Sequence, residues 1–90
     1  MTATKTWHVE IYIGEREGQT HAEARLRPGE NVTMTGTGTA RLNPSDLDVP
    51  EIGDELATAR ALSDLAHRLL HAAAEDIEDL THEKVRHLHG

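Results

Sequence analysis

Three runs of alternating apolar and polar residues followed by one long stretch of helical periodicity predict an α+β domain, a three-stranded antiparallel meander packed against one long C-terminal helix in the order β-β-β-α. Short turns containing Gly and Pro separate the runs, as hairpins require. A chain of 90 residues has room for one core, so residues 1–90 read as a single domain.

The first strand is predicted at about residues 5–13, with Trp7, Val9, Ile11 and Ile13 on one face and Thr6, His8, Glu10 and Tyr12 on the other. Residues Gly14 to Gly18 form a polar turn. The second strand, about 19–27, sets Thr20, Ala22, Ala24 and Leu26 against His21, Glu23, Arg25 and Arg27. Pro28-Gly29 fits the central pair of a type II turn, since Pro presets φ and Gly supplies the positive φ that follows. The third strand, about 31–42, places Val32, Met34, Gly36, Gly38, Ala40 and Leu42 opposite Thr33, Thr35, Thr37, Thr39 and Arg41. Small residues at 36, 38 and 40 leave space for a helix backbone to approach closely.

Residues 43–50 form a connector in which Asp48 and Glu51 resemble a capping box. The helix is predicted at about 51–80, with a tail at 81–90. Ile52, Leu56, Ala59, Leu62, Ala66, Leu69, Leu70, Ala73 and Ile77 fall on one side, and Leu70 lies at its centre. With Leu65 and Leu80 at its flank this arc covers on the order of 180°, whereas packing on one sheet face needs about 100°. The excess, and a chain with no Phe and only Trp7 and Tyr12 as aromatics, predict a second contact, taken to be a homodimer.

Net charge is −7, and it is unevenly placed: residues 1–42 balance five basic against five acidic side chains, while 43–90 hold four basic and eleven acidic ones. The helical half therefore repels phosphate and anionic membrane, and any nucleic-acid contact must use the first half. Absence of cysteine excludes disulfides, thiolate metal sites and cysteine nucleophiles. No secretory h-region or spanning apolar run is present, so a cytoplasmic protein with no membrane partner is expected. Asn31-Val32-Thr33 matches a glycosylation acceptor but lacks secretory context.

His67 and His71 are one helical turn apart, with Asp64 and Glu75 on the same polar side, so a histidine-mediated metal-binding protein is one alternative. The same spacing also describes a solvated ladder of ion pairs. Arg68 stands where a zinc protease motif needs glutamate, which excludes that chemistry. His82, His87 and His89 could form a terminal chelate. Gly36-Thr37-Gly38 superficially resembles a phosphate loop but lacks the third glycine and reads as a packing device. No nucleophile, base and orienter occur at a spacing that supports catalysis, so neither enzymatic activity nor a cofactor is expected. The outward sheet face carries the candidate macromolecule-binding residues His8, Tyr12, His21, Arg25, Arg27 and Arg41, to be weighed against ordinary cross-strand pairing on a wet face. A protein partner or a ribosomal RNA surface would suit it.

Three stretches carry a family likeness: His8-Val9-Glu10-Ile11-Tyr12-Ile13, Gly38-Thr39-Ala40-Arg41-Leu42-Asn43-Pro44, and Asp48-Val49-Pro50-Glu51-Ile52-Gly53-Asp54-Glu55-Leu56 continuing into Ala59-Arg60-Ala61-Leu62-Ser63-Asp64-Leu65-Ala66. They resemble a family of small actinobacterial proteins of unknown function with a double-stranded-RNA-binding-domain-like fold. The resemblance implies an association with dormancy and low-oxygen stress, and a likeness to ribosome hibernation factors in fold and dimeric state. It supplies no catalytic residues. Glu51, Asp54 and Glu55 occupy the start of the last helix, where duplex-RNA binders place lysines, which argues against conventional duplex-RNA binding.

Overall fold

The computed structural model describes residues 3–30, 32–41 and 50–89, with Pro50 and the last eight as backbone only. Three strands, β1 (Val9–Arg16), β2 (Gln19–Gly29) and β3 (Val32–Arg41), form an antiparallel sheet in the order β1-β2-β3. One helix, α1 (Pro50–His89), lies across it. This is the predicted α+β meander with one long C-terminal helix.

Both turns differ from expectation. The ladder between β1 and β2 runs to the pair Arg16↔Gln19, so Gly14 pairs with His21 inside the sheet and only Glu17 and Gly18 form the turn. Their φ values of 53° and 75° are both positive, the two-residue geometry whose twist matches that of flanking strands. Gly29 pairs with Val32, which moves the second turn past Pro28-Gly29 and excludes the type II placement. Pro28 cannot donate to a ladder, and the register shifts between Leu26 and Gly29 to accommodate it. Residues 3–8 precede β1 without regular structure, so the predicted strand start at Lys5 is too early. Leu42, the connector with its Asp48 capping box, Asn31 and the side chains of His82, His87 and His89 lie outside the described residues.

The core is built mostly from small side chains. Ala22, Ala24 and Leu26 of β2, Ala40 of β3 and Ala57, Ala61 and Leu65 of α1 are buried, with Ile11, Met34 and Leu69 packed against them. Gly36 and Gly38 bring the helix down onto β3. A Cβ added at Gly36 would overlap the Leu65 amide nitrogen and the Ala61 carbonyl oxygen and lie 2.8 Å from Leu65 Cα. One at Gly38 would overlap the Ala57 carbonyl oxygen and the Ala61 nitrogen. At the helix start, Gly53 approaches Thr20 of β2 in the same way, 2.8 Å from a built Cβ to Oγ1.

This close approach overturns the predicted helix face. The side turned to the sheet is Gly53, Ala57, Ala61 and Leu65, nearly opposite the predicted arc. Leu70, predicted at the arc's centre, is 68% exposed, and Ile52, Leu56, Leu62 and Ile77 are also exposed. A sheet face of glycine and alanine admits a helix only where the helix is equally small, so the larger Leu and Ile stripe is turned outward.

The helix also covers one sheet edge. Asp64 Oδ2 accepts a hydrogen bond from the Thr37 backbone N–H at 2.9 Å, and Arg60 Nη1 donates to the Thr39 carbonyl oxygen at 2.7 Å. These are groups of the outer strand β3, where an unpaired edge would otherwise invite another strand. α1 packs on β3 and β2 and barely reaches β1. Consequently Val9 and Ile13, predicted as core, are exposed, as is Trp7. The predicted helix end coincides with a break: Thr81 has φ −126° and ψ 29°, and its Oγ1 bonds back to the Ile77 carbonyl oxygen at 2.8 Å. The backbone then resumes as helix to His89.

Candidate functional site

Strand alternation turns His21, Glu23 and Arg25 of β2 away from the helix, because Thr20, Ala22, Ala24 and Leu26 between them are buried. Register then places Glu10 beside Arg25, Tyr12 beside Glu23 and Gly14 beside His21, with Thr35, Thr37 and Thr39 of β3 completing the rows. Three of the predicted residues are thus neighbours. The Arg25 guanidinium lies over the Tyr12 ring, 4.5 Å from its centroid, and pairs with Glu23. Tyr12 in turn donates its hydroxyl to Glu10 Oε2 at 3.0 Å. Donation to the Glu23 carboxylate chiefly raises the Arg25 pKa above its ordinary value, so the group stays charged while partly neutralised locally. Gly14 has no side chain to fill its row, which leaves a shallow open depression between Tyr12, His21, Glu23, Thr37 and Thr39.

The other predicted residues are spread more widely. His8 is exposed just ahead of β1, and Arg27 is exposed in the bulge. Arg25 faces Thr35, and Arg41 is six residues farther along β3, roughly 20 Å away at 3.4 Å per residue. The three arginines therefore do not form one cluster. A basic residue outside the predicted set joins Arg41 instead: Arg16 pairs with Gln19, which pairs with Arg41, so both guanidinium groups share a row at the hairpin end. Arg16 was hidden from sequence reasoning because Gly14 read as the end of the strand, and only the tight Glu17-Gly18 turn restores it to the sheet.

His67 and His71 are exposed on α1. Among the described residues no three His, Asp or Glu side chains come together as a metal site. Asp64, the obvious third ligand, is engaged at the sheet edge and by Arg68 Nε at 3.3 Å. The Thr37 N–H chiefly holds its carboxyl below the ordinary value; desolvation opposes this, and Arg68 adds to the lowering. A lowered folded pKa means that this bond stabilises the fold above the unfolded value of about 4 and is lost as pH falls through the lower folded value. Asp64→Asn is therefore expected to be less stable than wild type at pH 7, with the difference narrowing below about pH 4. Urea unfolding at several pH values would measure it, and a difference independent of pH would assign Asp64 no such role.

Among the described residues no helix is long and apolar enough to cross a membrane. The Rv2632c-like family profile matches residues 5–86. An uncharacterized protein of Mycobacterium tuberculosis is 55% identical, covering 92% of this chain and 87% of its own length. A second uncharacterized protein of that organism, Rv2632c, is 48% identical over 94% of this chain and 90% of its own. The crystal structure of Rv2632c superposes with a TM-score of 0.83 at 47% identity, covering 90% of this chain and 95% of the other.

Proposed function

The chain belongs to the Rv2632c-like family, and from that premise we propose that it is a non-enzymatic, dimeric cytoplasmic protein that contacts a macromolecule through its outward sheet face. The observation that carries this reading is the fixed Arg25–Tyr12–Glu23 arrangement on an open, polar three-stranded surface, flanked at either end by exposed arginines. A guanidinium held over an aromatic ring on an open face is pre-organised for a planar or anionic partner, since little side-chain entropy remains to be lost.

The partner proposed is ribosomal RNA, in a dormancy- or stress-associated role like that of hibernation factors with a duplex-RNA-binding-domain-like fold. The charge split supports the sheet face over the helix as the contact, because residues 43–90 hold eleven acidic side chains against four basic ones. Phosphate attraction then comes from Arg25, Arg27 and Arg41.

Replacing Arg25, Arg27 and Arg41 together with Gln is expected to abolish co-sedimentation with ribosomes while leaving the circular dichroism spectrum unchanged, since none fills core volume. Wild-type association should weaken with salt at a slope equivalent to roughly two or three released counterions. Association that survives the triple substitution, or ignores salt, would remove the RNA reading and leave a protein partner on the same face.

A further inference from the structure

The helix has two apolar faces, and among the described residues only one of them has a partner. Away from the sheet, Leu56, Ser63, Leu70 and Ile77 recur every seven residues, and Ala59, Ala66 and Ala73 follow the first three of these by three positions. That alternation of three and four is the spacing of a helix–helix seam, with the larger side chains as knobs and the alanines opening the holes. The side chains are uncovered: Leu56 is 45% exposed, Leu70 68% and Ile77 58%, and Leu80, three residues on, is 85% exposed.

We infer that this seam is where a second copy of the chain docks, helix against helix. The inference takes only the dimeric state from the function proposed above and does not depend on which macromolecule the sheet face meets. Four observations favour a second copy as the occupant. The seam is self-complementary, since its large positions mesh with the small ones of an identical seam, as an isologous contact requires. Its positions between Leu56 and Leu80 carry no charge, so two chains of net charge −7 can meet there without bringing like charges into the contact.

Area points the same way. The exposed apolar side chains of the seam, continued over Leu62 to Val9 and Ile13 on the uncovered face of β1, amount to on the order of 800 Å², about what each partner contributes to a standard-sized interface. Finally, α1 runs unbroken from Pro50 to Leu80 before its break at Thr81, and the longest strand has 11 residues, about 46 Å against 37 Å. The helix therefore overhangs its own sheet, and Ile77 and Leu80 are exposed there. A second helix beside the first would meet both the overhang and the open face of β1.

The test is molecular mass by light scattering at tens of micromolar, with helical content followed by circular dichroism. Wild type should have twice the 9.9 kDa chain mass, and Leu70→Glu should halve it with the helical spectrum preserved. Should Leu70→Glu fail to fold, Ala66→Glu gives the same reading, because it removes no apolar side chain larger than a methyl and introduces a good helix former. A monomeric wild type would overturn both the seam and the dimeric part of the proposed function. A dimer that persists in the folded variants would overturn the seam alone.

Discussion

Gly36→Val is expected to prevent folding at ordinary temperature. At this position even the first carbon of a side chain would overlap the backbone of Ala61 and Leu65, and backbone cannot rotate away as a flexible side chain could. The helix would have to lift from β3, opening the contact that buries Ala57, Ala61 and Leu65 and breaking the bonds from Asp64 and Arg60 to the strand edge. Overpacking a well-filled core costs about 1–3 kcal/mol where neighbours can shift, and the loss here should exceed that range. Gly36→Ala should be destabilising as well, by a smaller amount. Gly14→Val is the control, because Gly14 is also within a strand but a Cβ there meets nothing within 4 Å. Thermal unfolding of the three variants reads the difference. A Gly36→Val protein melting within a few degrees of wild type would mean that the helix does not approach β3 this closely.

Leu26→Ala is expected to cost about 2–5 kcal/mol, the usual range for truncating a large buried aliphatic side chain. Leu26 is 1% exposed and the largest fully buried side chain among the described residues. Its neighbours in the core are largely alanines, which have no rotamers with which to fill the space left. For a domain this small such a loss is a large fraction of the total stability, so the variant should be substantially unfolded on warming. Chemical denaturation with a linear free-energy extrapolation would measure it. A change below about 1 kcal/mol would place the centre of the core elsewhere. The periodicity of the helix instead nominates Leu70 for this role, and its 68% exposure removes it from the core.

Much of the architecture is legible in the sequence because it depends on local patterns. Alternation in three runs determines the number of strands and the face each residue takes on β2 and β3, and the absence of Pro after residue 50 determines one long helix. The small residues at 36, 38 and 40 announce a close helix contact, and the outward row of His21, Glu23 and Arg25 follows from strand parity alone. The charge split also belongs to the sequence, since it needs only a count. What it implies for a partner depends on where the arginines stand in space.

Contacts between distant elements settle the remainder. A helix with one stripe of Leu and Ile and another of Gly and Ala presents two periodic faces, and hydrophobicity ranks the first above the second. The sheet reverses that ranking: Gly36 and Gly38 place the helix backbone so near β3 that only Gly53, Ala57 and Ala61 fit beneath it, with Leu65 at their margin. Position then follows from packing, leaving β1 uncovered and bringing Arg60 and Asp64 onto the β3 edge, contacts across 21 and 27 residues that no local pattern encodes. Arg16 likewise reaches the row of Arg41 only through pairing along β2. Periodicity identifies which residues share a face, but the shape of the opposing surface selects the face that is buried.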